Sequence, residues 1–409
     1  MRSRFKLFEV YGVELEYMIV DRSTLNILPI TDQLFHRISG EWTDEVELDE
    51  ITLNNELALH VVELKTSEPA RSLEALPALF QSRINDLEER LKAWDACLMP
   101  TAMHPWMDPH GEFRIWPHGD AGIYKKFHEI FDCRGHGWSN LQSTHINLPF
   151  GDDQEFARLH AAIRMVLPLI PALAASSPCA DGKITAMKDY RIQTYRNNAA
   201  RIFSVTGHVI PEAVYSQQDY LNLILEPIYN DLSPHDPNGI LRHEWANARG
   251  AIARFERSSI EIRLVDIQEA PIMDLAIVWA VTSIVRMLCS EPWASIDQYN
   301  AVSSRRLKRV LDKTQQFGED AVIQCPEYLA VLGWTESEPP TAQRLLKHLI
   351  GQGSSVPTVF WEPLNIILDQ GTLATRIVRA LGENPTKDRF HTVYNQLCYS
   401  LETGKAFIS

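Results

Sequence analysis

Four short stretches of this sequence set charged or polar side chains two residues apart among apolar ones. The first is Glu14-Leu15-Glu16. In a strand, residues two apart share a face, so both carboxylates project the same way and repel. An oxygen-preferring cation such as Mg²⁺ would relieve that repulsion; a solvated outer face is the plainer alternative. The second stretch, 54–66, puts Glu56, His60, Glu63 and Lys65 into an apolar run. Glu56 and Glu63 are seven apart, so a regular strand would point them to opposite faces. A bulge, or Glu56 just outside the strand, is needed to bring them together. Glu63 and Lys65 share a face and could equally form a salt bridge.

The third stretch is Ser143-Thr144-His145-Ile146-Asn147, with His145 and Asn147 on one face. In the fourth, 260–266, Glu261 and Arg263 share a face while Ile260, Ile262 and Leu264 line the other. Taken singly, each pattern fits a structural residue or a surface ion pair worth about 0–1 kcal/mol. Taken together, Glu14, Glu16, Glu63, His145, Glu261 and Arg263 describe a sheet with an apolar face and a polar, metal-loaded one. Phosphate contacts would come from arginines, whose planar fork grips two oxygens. Arg191, Arg196 and Arg201 form one set of candidates, and Arg249, Arg254 and Arg257 the other.

The elements that must hold these residues can be read from patterning. Residues 5–21, 57–66, 143–150 and 259–266 predict strands, being rich in β-branched and aromatic types. Residues 72–98 and 156–176 predict helices, and 270–289 a buried one. Residues 99–122 read as a long loop in which Pro100, Pro105, Pro109 and Pro117 alternate with Trp106 and Trp116, suited to a lid or site wall. Residues 226–250 form a second irregular stretch. Beyond Val302 the chain reads as helical, with polar breaks at 334–341 and 350–357. Strands without a βαβ cadence predict an α+β fold, with one antiparallel sheet backed by helices.

Composition narrows the class. The chain has 409 residues, 45% of them apolar, and a formal net charge of −14. That excess of acid opposes nucleic-acid binding but not a nucleotide held by Mg²⁺ and local arginines. No GxxxxGK[ST] or strand-following GxGxxG occurs, so neither a P-loop nor a dinucleotide fingerprint is present. Six scattered cysteines without CxxC pairing suggest a reducing cytoplasm rather than zinc or a disulfide framework. Met1–Val10 lacks a signal-like apolar stretch, and the apolar run Leu275–Val285 is short of the ~20 residues that span a bilayer. No membrane association is expected.

GVELEY at 12–17, ELALHVVELKT at 56–66, NLQSTHINLPF at 140–150, ASSP at 175–178 and IEIRLVDIQEAP at 260–271 occur in that order. In this they resemble the glutamate–cysteine ligase type 2 family, the carboxylate–amine ligase branch of the glutamine-synthetase-like fold. The resemblance covers roughly residues 8–290. It implies a catalytic core over 1–290, followed by a helical part, 291–409, packed on or continuous with it. It also implies an ATP- and Mg²⁺-dependent ligase, with Mn²⁺ an alternative ion, that joins glutamate to cysteine or another amine through an acyl phosphate. The substrates would be small amino acids or amines, and a homo-oligomer is compatible.

Carried over by position, the resemblance makes Glu14, Glu16, Glu56, Glu63 and Glu261 metal ligands. His145, Thr185, Arg191 and Arg263 become nucleotide contacts, and Arg263 and Glu63 catalytic residues. Ala186 and Asp189 stand where the family shows a glycine and a serine. Arg254–Ser259 replaces a proline-rich turn, and His104-Pro105-Trp106 stands for an HPF-like tripeptide. These departures leave the metal set whole and point to altered amino-acid recognition. A phosphotransferase of the same fold, or a non-catalytic nucleotide- or amino-acid-binding homologue, is the rival reading.

Overall fold

A computed structural model describes residues 5–119 and 121–409; the sequence reading of Met1–Arg4 lies outside them. Eight strands form one antiparallel sheet: β1 (Gly12–Asp21), β2 (Glu45–Leu48), β3 (Ile51–Asn55), β4 (Val61–Thr66), β5 (Ala96–Met99), β6 (Ser143–Pro149), β9 (Ala251–Arg254) and β10 (Ser259–Asp266). Their order is β2-β3-β4-β1-β6-β10-β9, and β5 pairs with the second half of β1. A two-stranded hairpin, β7 (Cys179–Ala180) and β8 (Lys183–Ile184), lies apart from it.

The predicted α+β architecture is therefore present, and the alternation that suggested it is physical. Val13, Leu15 and Tyr17 on β1, and Ile260, Ile262 and Leu264 on β10, are fully buried. Pro271–Cys289 is the central helix of the molecule and packs against Asp153–Val166, Leu76–Leu91 and Thr358–Gln370. It is long and apolar enough to cross a bilayer, yet it is mostly buried inside the fold. Its one acid, Asp274, is buried and accepts hydrogen bonds from Thr144 Oγ1 (2.7 Å) and the Gln268 amide (2.9 Å).

Several expected boundaries shift. The first strand begins at Gly12 rather than residue 5, and the second at Val61 rather than 57. Residues 56–60 are a turn that joins β3 to β4. The strands β2, β3, β5 and β9 were not expected; β5 occupies the end of what read as the 72–98 helix, which stops at Leu91. The 156–176 helix breaks at Val166, because Pro168 and Pro171 cannot continue an α-helical hydrogen-bond ladder. The C-terminal helices share one continuous core cluster with the sheet. Lys387–Thr403 packs on β5 and Leu76–Leu91, and the buried Arg376 pairs with Glu269, also fully buried.

Candidate active site

The polar face of the sheet forms the floor of a cavity of about 390 Å³. Register brings its residues together. Glu14 lies opposite His145 on β6 and Lys65 on β4, Glu16 opposite Glu63, and Glu261 opposite Asn147. Like charges directly opposite one another destabilise a sheet, so the Glu16–Glu63 pairing is a local conflict. Glu56 resolves the seven-residue problem by sitting just past the end of β3, where the 56–60 turn carries the chain back into β4.

Four of the five expected metal ligands converge, joined by His145, which was expected as a nucleotide contact. Ligand atoms of Glu14, Glu63 and His145 lie within 4.8 Å of one another, and so do those of Glu16, Glu56 and Glu63. His145 Nδ1 contacts Glu14 Oε2 at 2.8 Å, and its Nε2 contacts Ser143 Oγ at 2.9 Å, 3.5 Å from Glu16 Oε1. Asn147 Nδ2 donates to Glu14 Oε1 at 3.0 Å, and the Ser143 amide to Glu16 Oε2 at 2.7 Å. Glu56 and Glu63 have no hydrogen bond or ion pair among the described residues.

The electrostatics divide the cluster. Burial by itself would raise Glu14, but its hydrogen bond to His145 and the charges of His145, Arg263 and Lys65 outweigh that and hold it at about 2. Burial disfavours a charged His145, yet Glu16 and Glu14 raise it. Glu56 is pushed up to about 8 by burial and by the charge of Glu16. Glu63 is driven well above the usual carboxylate range by burial and by Glu14, Glu56 and Glu16. Two acids are thus crowded beside a third and a fourth, and His145, Arg263 and Lys65 offset that crowding only in part. All-oxygen donors with one imidazole, short of positive charge, suit a hard divalent cation.

Glu261 lies in the same cavity but outside that cluster. Arg254 Nη1 donates to its Oε2 at 3.0 Å, and Arg263 Nε lies 2.9 Å from its Oε1. Its charge is therefore already matched from both sides. Arg263 stays firmly protonated: burial opposes its charge, and Glu261 leads the groups that restore it. Arg257, exposed and without a side-chain partner among the described residues, also lines the cavity.

Other expected contacts resolve differently. Arg191 lines the cavity, but its guanidinium is buried against Asp266 and donates to the Arg263 carbonyl at 3.3 Å. Asp266 is in turn held by the Ser176 amide and Ser177 Oγ, both at 2.8 Å. Thr185 is absent from the cavity wall; it closes its own turn by donating to the Met187 carbonyl at 3.0 Å. Arg196, Arg201 and Arg249 point elsewhere, to Asp312, the Ile130 carbonyl and Glu212. His104 is buried against the Leu25 carbonyl, and His60 is fully buried with neither ring nitrogen partnered.

The opposite wall was not read from the sequence. Ile123 and Phe127 from helix Ala121–Phe131, with Trp138, Val205 and Trp245, make it apolar. Phe127 meets Trp138 and Trp245 with ring centroids 5.2 and 5.8 Å away. The tryptophans in otherwise polar, irregular segments were the available signal.

Residues 10–320 match the model of glutamate–cysteine ligase family 2. An uncharacterized protein of Archaeoglobus fulgidus is 35% identical over 398 residues, covering 97% of this chain and all of that one. A putative glutamate–cysteine ligase 2-3 of Rubrobacter xylanophilus is 28% identical over 204 residues, 48% of this chain and 51% of its own. The fold is shared with a bifunctional glutathione synthetase from Pasteurella multocida (TM-score 0.65, 15% identity), covering 97% of this chain and 53% of that one. It is shared too with the Francisella tularensis glutamate–cysteine ligase solved with AMP (TM-score 0.59, 13% identity, 98% and 90% coverage).

Proposed function

This chain belongs to glutamate–cysteine ligase family 2, a family of carboxylate–amine ligases, and from that premise we propose that it uses ATP to form a γ-glutamyl amide. The single observation that supports this most is the crowding of Glu16, Glu56 and Glu63 beside Glu14 and His145, in one cavity with Arg263. A binding module has little reason to hold stranded like charges; an enzyme for a metal-bound triphosphate does.

In the proposed reaction a carboxylate oxygen attacks the γ-phosphorus and the bond to ADP breaks. The amine lone pair then attacks the acyl carbon, and phosphate leaves with the bonding electrons and takes up the proton lost by the nitrogen. Activation is required because a free carboxylate is a poor acylating agent. Glu14, Glu16, Glu56, Glu63 and His145 would hold Mg²⁺ or Mn²⁺, which when bound neutralises the triphosphate. Arg263 offers a fixed cation to the transferring group, and Glu261 and Arg254 hold it in place. Arg257 offers a second cation to an anionic ligand at the rim. Arg191, tied to Asp266, supports the Arg263 backbone rather than meeting phosphate. We propose further that 1–290 carries the chemistry and that 291–409 buttresses it, through pairs such as Arg376–Glu269.

An ADP-release screen across carboxylates and amines, with and without Mg²⁺, tests the reading. ADP release that needs both a carboxylate and an amine, with an amide as product, is expected. Turnover without an amine would instead favour the phosphotransferase.

A further inference from the structure

Helix Tyr190–Asn198 sets Arg191, Tyr195 and Asn198 at i, i+4 and i+7, the spacing of a single helical face. All three line the cavity. Arg191 is used up by Asp266, but the other two have something to spare. The Tyr195 hydroxyl is buried without a well-formed hydrogen bond, beside the Arg263 guanidinium. Asn198 Oδ1 is likewise buried and unpartnered.

The orientation of Asn198 is set by its surroundings. Its Nδ2 donates to the Gly137 carbonyl at 3.1 Å, and its own carbonyl accepts from Trp138 Nε1 at 3.0 Å. This requires close approach of the short helix His136–Ser139. A Cβ on Gly137 would come within 2.4 Å of the Thr194 carbonyl oxygen and 2.9 Å of Asn198 Cβ. Glycine there lets the two helices touch, and the touch leaves Oδ1 as the free end of the amide. A buried acceptor with no donor asks for an N–H from a ligand.

Resting on the ligase reading above, we propose that Tyr195 and Asn198 form the subsite for the amine-bearing substrate. Asn198 Oδ1 accepts an N–H from the amine, and Tyr195 Oη donates to an oxygen of the activated carboxyl group beside Arg263. Asn198 orients the nitrogen and takes no proton. The adenine amino group is the other N–H donor to weigh. Residues at i and i+3 on a helix have Cβ atoms about 5–6 Å apart, which keeps Asn198 near Tyr195 and so near Arg263, where the reacting group lies. A nucleobase is separated from its γ-phosphate by the ribose and two further phosphates, too far for this position.

The test compares wild type with Tyr195→Phe, which removes one oxygen, and Asn198→Leu. Each is assayed with ATP, Mg²⁺, L-glutamate and, in turn, the twenty proteinogenic amino acids and ethylamine. The KM of the best amine should rise at least tenfold in Asn198→Leu and about threefold in Tyr195→Phe, while the ATP KM moves less than twofold. A rise in the ATP KM with a constant amine KM would place the nucleobase here and overturn the proposal, as would no change in either. If wild type binds ATP by calorimetry yet releases no ADP, the ligase reading fails separately. The same amines are then titrated into the ATP-loaded protein: weaker binding to Asn198→Leu than to wild type supports the subsite, and equal binding or none overturns it.

Discussion

Two buried sets of charge in this molecule obey opposite rules. Away from the glutamate cluster, Asp266 pairs with Arg191 and Glu269 with Arg376; Ser176 and Ser177 occupy the other Asp266 oxygen, and the Phe407 amide shares Glu269 Oε1 with Arg376. On the cavity floor, Glu56 and Glu63 have no such partner, and Glu16 shares a single histidine with Glu14. The paired set is the more deeply buried, while Glu14 and Glu56 on the floor are only half-buried. Pairing separates them further: the first set is matched within the chain, and Glu56 and Glu63 are not matched among the described residues.

The sharpest way to break this contrast is to strip compensation from the first set. Arg376→Leu leaves Glu269 charged and fully buried, and should cost about 3–5 kcal/mol in urea unfolding. The double substitution with Glu269→Met should recover most of it. Next comes Arg263→Lys, which keeps the charge and loses the fork. It should lower kcat on the order of 10²-fold or more with a much smaller change in the ATP KM; near-normal kcat would reduce Arg263 to an ion-pair partner of Glu261.

Withdrawing Mg²⁺ with EDTA should weaken ATP binding by about tenfold or more, about 1.4 kcal/mol, as read by calorimetry. Equal affinity in both conditions would remove the reason for the stranded acids. A smaller effect, of opposite sign to the first, is expected for Glu63→Gln: the metal-free protein should melt at the same temperature or higher, although turnover is lost. Glu14→Gln and Glu261→Gln should not share that gain. Glu14 is held at about 2 by its partners, and Glu261 is clasped by two arginines.

A separate effect is the pH profile of the metal-free protein. Glu56 has its folded value raised to about 8, so the unfolded chain gives up its proton first. The stability contributed by the protonated form is fully present below the ordinary carboxylate range and is lost as pH rises to about 8. Wild type should therefore lose stability relative to Glu56→Gln over that window; parallel profiles would show that Glu56 ionises freely. His60 and His160, each pushed down to about 3 chiefly by burial, act in acid. The unfolded chain takes up their protons first, so stability falls as pH drops below about 6.5.

The sequence was most legible where period and burial agree. On β10 the predicted span coincides with the strand, and Glu261 and Arg263 face the cavity. Glu14, Glu16 and His145 were likewise visible, because alternation fixes a face without knowledge of neighbours. What alternation cannot supply is a partner. Nothing near Arg191 in the sequence announces Asp266, 75 residues on, with which this cavity-lining arginine pairs. The short strands β2, β3 and β9 carry too few residues for a period to emerge. Glu56 needed a turn whose position depends on β3, and Tyr195 and Asn198 became visible only once Gly137 had brought a second helix against theirs.

The alternation on β1, β6 and β10 also bears on how such a protein can change over generations. Odd and even positions answer to different selections: one set to the solvent of the core, the other to whatever enters the cavity. A single-base change at an even position of β1 can alter what the floor recognises while leaving Val13, Leu15 and Tyr17 where they were. An inserted or deleted codon does the opposite, turning site residues into the core and core residues into the cavity along the whole strand. Substrate preference can therefore drift among descendants through substitutions in these strands, while their lengths stay fixed.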